Sequence, residues 1–200
     1  MISTEQLINT ICKQDTNLLK KELLEILSKQ SYIEGKIILS SGRESSYYID
    51  GKQTTLDAKG GTIISLLFLR MLKENISAVG GISVGADPLA SGVSQIGFLI
   101  GKKIDAFYIR KEPKKHGTSK WIEGPIKKNS KVAILEDVVT TGTSSLRAIE
   151  RIIEYGCTVE QILSVVDRNE GGRKLFKEKG FNYNYLFDIK EVIDRAKKTS

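Results

Sequence analysis

The stretch that most restricts what this chain can become is residues 131–145, Lys-Val-Ala-Ile-Leu-Glu-Asp-Val-Val-Thr-Thr-Gly-Thr-Ser-Ser. Its opening, 131–135, is a short apolar run without polar alternation, which is what a strand covered on both faces requires. Two acids end the run, and a hydroxyl-rich turn with one glycine leads into a helical pattern over 144–154. On either side the same rhythm recurs. Helical spacing marks 59–74, 89–100, 173–179 and a terminal helix, while strand-like runs occupy 78–84, 105–109, 161–166 and 183–187. Strands alternating with helices predict an α/β fold, a central parallel sheet flanked by helices. In such sheets ligands bind beyond the carboxyl ends of the strands, and that edge is where Glu136 and Asp137 are expected to emerge.

Upstream the pattern is different. Leu7, Ile8 and Ile11, then Leu19, Leu23, Ile26 and Leu27, fall at helical spacing, with Asp15 or Asn17 available to cap the second helix. Residues 32–50 read as extended strands around a tight Ser-Ser-Gly-Arg bend, a small hood. With 200 residues, the chain is expected to form one domain: 1–55 as N-terminal helices and hood, 56–200 as the α/β core.

Adjacent carboxylates at the mouth of a cleft repel each other, so a cation or hydroxyl donors such as those of a ribose must compensate. Thr140, Thr141, Gly142, Thr143 and Ser144 then offer hydroxyls, backbone amides and the positive end of a helix dipole, a cup for a phosphate. No Gly-Lys-Ser/Thr follows, so this is not a Walker A loop. Together the acids and the cup describe a holder for a ribose phosphate. The plainer alternative is a strand, turn and helix whose hydroxyls only cap the helix.

A formal charge of +7 favours an anionic partner, nucleic acid or a phosphorylated small molecule. The basic residues concentrate, with seven Lys or Arg in 102–120 against Asp105 and Glu112, and no helix-turn-helix or aromatic RNA platform accompanies them. Cys12 and Cys157 stand far apart and there is one histidine, which leaves little to build a zinc site or disulfide framework. No apolar run approaches the roughly 20 residues that span a bilayer, and the N-terminus has no basic-then-apolar leader. A cytoplasmic location without membrane attachment is expected.

Residues 135–144 resemble the signature of the type I phosphoribosyltransferases, in which two acids precede a Thr-rich, Gly-containing loop that grips 5-phosphoribosyl 1-diphosphate. Three further segments narrow the resemblance to the orotate phosphoribosyltransferase family: Leu-Ser-Ser-Gly-Arg-Glu-Ser-Ser-Tyr-Tyr-Ile-Asp at 39–50, Arg-Lys-Glu-Pro-Lys-Lys-His-Gly at 110–117, and Val-Asp-Arg-Asn-Glu-Gly-Gly at 166–172. The resemblance implies the type I phosphoribosyltransferase fold. It implies transfer of the phosphoribosyl group to orotate, giving orotidine 5′-monophosphate and diphosphate in pyrimidine (UMP) synthesis.

It also implies roles. Glu136 and Asp137 would bind the ribose hydroxyls, directly or through a metal shell. Val138 and Val139 would contact the 5-phosphoribosyl 1-diphosphate and 140–144 would take its 5-phosphate, with Thr140 also beside the base. Arg110, Lys111, Lys114 and His116 would form a mobile lid over about 110–124, cationic toward the departing diphosphate. Lys114, His116 and Asp137 would be the catalytic residues. In the family, the arginine, the second lysine and the histidine cross into the neighbouring subunit, so a homodimer with shared sites is implied. Arg168 would pair with the orotate carboxylate, and Tyr48 and Ile49 would face the base. Mg²⁺ would be carried mainly by substrate oxygens and water, with no direct protein ligand. The segment 85–90 should wrap the diphosphate. The chain departs from the pattern where many relatives carry lysine: Ser40 precedes the Ser-Gly-Arg turn, and Ala86-Asp87-Pro88-Leu89 fills the diphosphate loop. Trp121 is unexpected in the lid. A purine phosphoribosyltransferase would need the cup but not Arg168 or the hood; a nucleic-acid-binding regulator would need neither the lid's spacing nor the base pocket.

Overall fold

The computed structural model describes residues 13–38, 44–113 and 121–198. The expected first helix with Leu7, Cys12, the bend with Ser40 at residues 39–43, and the lid residues Lys114, His116 and Gly117 lie outside them.

Helix α1 (Thr16–Ile26) starts where Asp15 accepts hydrogen bonds from the amides of Asn17 and Leu18 at 2.8 and 3.1 Å, so Asp15 is the cap. It continues as a π turn over Leu27–Ser31 and leads into an antiparallel hairpin, β1 (Tyr32–Ile38) and β2 (Glu44–Ile49). A short helix α2 (Gly51–Thr55), not expected from the sequence, connects the hairpin to α3 (Ala58–Met71).

The core sheet contains β3 (Ala78–Ile82), β4 (Asp105–Ile109), β5 (Ile122–Glu123), β6 (Lys131–Val139), β7 (Thr158–Asp167) and β8 (Tyr183–Asp188) in the order β5-β4-β3-β6-β7-β8. Every pairing is parallel except β4 with the two-residue β5. From β3 the chain steps outward to β4, and from β6 it steps the opposite way to β7 and β8. The crevice between the ends of β3 and β6 is thus a topological switch point, the place where such sheets bind ligands.

Helices α4 (Asp87–Leu99), α5 (Thr143–Tyr155), α6 (Gly172–Glu178) and α7 (Ile189–Lys197) complete the core. Strand β6 alternates between two apolar clusters. Ala133 and Leu135 join the one built around α1, α3, α4 and α7, whereas Val132 and Ile134 join the one under α5 and α6. All four are fully buried, and a side chain such as Ile134 contributes about 1.5–3 kcal/mol by leaving water. Continuous burial on both sides is why this segment shows no polar alternation.

The sequence reading stops β6 at residue 135, but the strand runs four residues further. Its ladder with β7 continues through Val138 opposite Val166 and Val139 opposite Asp167. The acids are therefore strand residues, not members of a loop, and successive strand residues point to opposite faces. No described helix is long and apolar enough to cross a membrane.

Candidate active site

A cleft of about 390 Å³ opens at the switch point, lined by residues 82–85 at the end of β3, residues 136–145, Lys52 and Lys111. The two acids enter it from different sides. Glu136 is 7% exposed and accepts a 2.8 Å hydrogen bond from the hydroxyl of Ser145 on α5, itself 1% exposed. Burial pushes its pKa up to about 8; the Ser145 hydrogen bond opposes this and the Asp137 charge adds to it. Asp137 lies on the α2 side, clasped between two glycines. A Cβ at Gly51 would come within 2.8 Å of Asp137 Cβ, and one at Gly85 within 2.8 Å of its Oδ1. Burial raises the Asp137 pKa, while a backbone bond from Val138 at 2.9 Å and the Lys52 charge lower it. Strand pleating and these separate partners offset a repulsion that the bare sequence leaves to a ligand or cation.

Beyond the acids the chain makes the expected cup. Gly142 has φ 81°, in the left-handed region where a side chain is strained, and a Cβ there would come within 2.9 Å of the Phe176 ring of α6. Helix α5 starts at Thr143, so the amides of its first turn, which lack intrahelical acceptors, face the cleft. The hydroxyls of Thr141 and Thr143 lie 3.0 Å apart. Thr140 is half-buried; Thr141, Thr143 and Ser144 are exposed.

Arg168 follows β7 directly, and its amide donates to Val139 O at 2.9 Å, while the Gly172 amide donates to Thr140 O at 3.0 Å. Two backbone bonds thus lace the 168–172 turn to the cup. The Arg168 side chain is 6% exposed, lies 4.9 Å over the Tyr47 ring, and pairs with Glu170 at 2.8 Å. Its Nε has no hydrogen-bond partner among the described residues. Asp167 shapes the turn: one carboxylate oxygen accepts from the Asn169 amide at 2.6 Å, the other from Arg173 Nε at 3.1 Å.

In the hood, Tyr48 is half-buried near the end of β2, but the Ile49 side chain is 4% exposed and belongs to the core, leaving only its backbone for a ligand. Tyr47 stacks on Tyr32 and packs against the core. Of the expected diphosphate segment 85–90, only Gly85 lines the cleft, because α4 begins at Asp87; residues 82–84 supply the rest. Arg110 and Trp121 are fastened at the two feet of the 110–124 segment. The Arg110 amide donates to Trp121 O at 2.9 Å and its guanidinium to Glu123 at 2.9 Å, while Trp121 stacks under Arg151 at 3.8 Å. Lys111 is exposed at the cleft. Sequence reasoning missed Lys52 and Ser145. The first follows the Asp50–Gly51 pair at a helix start, a local signal that was readable; the second is brought to Glu136 only by tertiary packing.

The parallel sheet, the switch-point cleft and the acid-then-threonine cup define a phosphoribosyltransferase, and residues 52–191 match the phosphoribosyl transferase domain family. The orotate phosphoribosyltransferase of Nostoc sp. is 41% identical over 182 residues, 90% of this chain and 88% of that protein. The orotate phosphoribosyltransferase of Mycobacterium tuberculosis superposes with a TM-score of 0.78 at 33% identity, covering 87% of this chain and 98% of that one. The same enzyme in complex with 5-phospho-α-D-ribosyl 1-diphosphate gives a TM-score of 0.74 at 31% identity over 87% and 98%. The chain belongs to the orotate phosphoribosyltransferases, glycosyltransferases of pyrimidine biosynthesis.

Proposed function

We propose that the switch-point cleft is where this chain joins orotate to the phosphoribosyl group of 5-phosphoribosyl 1-diphosphate, releasing diphosphate. The observation that carries this reading is the lacing of Arg168 and Gly172 to Val139 and Thr140, which puts the guanidinium suited to a planar carboxylate beside the cup suited to a phosphate. Thr140, Thr141, Gly142, Thr143 and Ser144 hold the 5-phosphate through amides and hydroxyls. Asp137, and Glu136 behind it, hold the ribose hydroxyls. Arg168 takes the orotate carboxylate by exchanging Glu170 for it, with Tyr48 and the Ile49 backbone against the ring.

Displacement at the sugar carbon builds positive charge there and negative charge on the leaving diphosphate, so positioning and electrostatics do the work and no covalent nucleophile is needed. Residues 83–85 and Lys111 receive the diphosphate. Arg110, Lys114 and His116 act as lid cations reaching from a second subunit of a homodimer, His116 as hydrogen-bond donor or proton source to the leaving group. Arg110 leaves Glu123 to do so.

The donor chemistry fits Mg²⁺: one hard carboxylate, Asp137, half-open to the cleft, suits the outer shell of a cation that draws its ligands from substrate oxygens and water. Asp137, with Glu136 behind it, would steady that shell, and when bound the ion supplies neutralisation of diphosphate charge.

The test is loss of orotate ultraviolet absorbance on adding the diphosphosugar and Mg²⁺, with hypoxanthine, adenine and uracil as competitors. Consumption of orotate unaffected by the competitors is expected; turnover of a purine instead overturns the assignment of the base. Sharing of sites is tested by mixing Lys114→Ala with Arg168→Ala chains. Recovered activity is expected in hybrid dimers, and none at any mixing ratio overturns a lid that works in trans.

A further inference from the structure

The cleft is lined by two acids and, among the described residues, by two cations, Lys52 and Lys111. A substrate with three phosphoryl groups needs more positive charge than Lys111 alone supplies, and the sequence carries no lysine at 86–89, where the diphosphate turn passes into α4.

Lys52 stands where that charge is missing, for three reasons. Gly51 and Gly85 press on the same carboxylate, Asp137, from two elements, so the residue after Gly51 and the 83–85 turn flank one point of the cleft. The Lys52 ammonium is oriented by Asp50, at 2.5 Å, whose same oxygen also accepts from the Lys52 amide at 3.2 Å. Its side chain keeps 41% of its surface exposed, so it is held but still open to the cleft. The Asp50 hydrogen bond raises its pKa, burial opposes this, and the Asp50 and Asp137 charges add to the rise. The group is therefore a cation at any physiological pH.

We propose that Lys52 is a substrate-binding residue that contacts the diphosphate of 5-phosphoribosyl 1-diphosphate from helix α2, doing there what a lysine in the diphosphate turn would otherwise do. This rests on the reading of the cleft given above. Asp50 works as a positioning residue: it holds the ammonium in the ligand-free enzyme and shares it with a phosphoryl oxygen in the complex.

The experiment is calorimetric titration of the full chain, with Mg²⁺ present, by three probes: 5-phosphoribosyl 1-diphosphate, inorganic diphosphate and ribose 5-phosphate. Lys52→Met should weaken the first two by roughly ten- to hundred-fold, the value of one charge-assisted hydrogen bond, and leave ribose 5-phosphate within about two-fold. Lys52→Arg should restore part of the loss. In kinetics the KM for the diphosphosugar should rise while the KM for orotate stays unchanged. Unchanged diphosphate affinity overturns the proposal, and so does an equal loss for ribose 5-phosphate, which is the pattern of a merely structural lysine. If wild-type chain binds diphosphate but not ribose 5-phosphate, the cup reading fails while Lys52 stands. If Lys52→Met does not fold, Lys52→Gln, which keeps a hydrogen-bonding end for Asp50, is read by the same criteria.

Discussion

The two halves of the cleft are built in opposite ways. The half proposed for the sugar phosphate comes from one continuous segment, residues 136–145, in which a strand end, a left-handed glycine and a helix start follow in order. The half proposed for the base is gathered from afar: Arg168 after β7, paired with Glu170, and Tyr48 from the hood. A continuous segment positions its groups by backbone geometry, and its amides survive every substitution except proline. An assembled pocket depends on single side chains, and one of them carries most of the recognition.

This contrast orders the expected effects. The largest belongs to the base half. Arg168→Ala should lower kcat/KM for orotate by roughly a hundred-fold, since a buried charged partner is lost, with diphosphosugar affinity nearly unchanged. Steady-state kinetics with each substrate varied in turn checks this, and equal losses for both would erase the distinction. Next, Asp137→Asn should reduce turnover at least about ten-fold with KM for orotate retained and the fold intact by circular dichroism; unaltered turnover would remove the sugar-binding role.

A third test reads Glu136 through stability without ligand or metal. Its native pKa is raised to about 8, above the unfolded value near 4.5, so the folded state keeps a proton that the unfolded chain has released. Between those values unfolding releases that proton, so this group's contribution falls as pH rises. Glu136→Gln removes the dependence, and denaturant unfolding should show wild type losing stability relative to the variant by on the order of 1–3 kcal/mol between about pH 5 and pH 8. A constant difference would mean that Glu136 is ionised throughout. The smallest effect is ionic. Raising salt from about 0.05 to 0.5 M should weaken diphosphosugar binding several-fold while hardly touching orotate, whose partner Arg168 is buried. Salt-insensitive binding would argue against open cations such as Lys111 and Lys52 in the sugar half.

The same contrast explains what the sequence disclosed. The α/β order, β4 to the residue, the glycine turn into α5 and a cap at Asp15 or Asn17, which the structure places at Asp15, were legible because each is written in neighbouring residues. The end of β6 was not, because Glu136 and Asp137 look like a turn until β7 pairs beside them. Their opposite orientation was available from strand periodicity, yet the pair reads as two charges at one mouth when taken as a loop. Arg168 could be singled out only by resemblance, since nothing local distinguishes it from an arginine paired with Glu170, and that pairing is present. Of Ile49, expected to face the base, the side chain lies in the core, because the strand ends on a buried position. Ser145 acts through a contact with Glu136 that the chain makes only on folding, whereas Lys52, two residues from its partner Asp50, carried a local signal.

The backbone bonds from Arg168 to Val139 and from Gly172 to Thr140 have a mechanical consequence. They splice the seats proposed above for the nucleobase and the phosphate into one plate carried by β6 and β7. The span between the attacking ring nitrogen and the carbon it attacks is then a fixed dimension of the sheet, like the gauge of a railway track. Whatever moves during turnover has only to cover that plate and leave again.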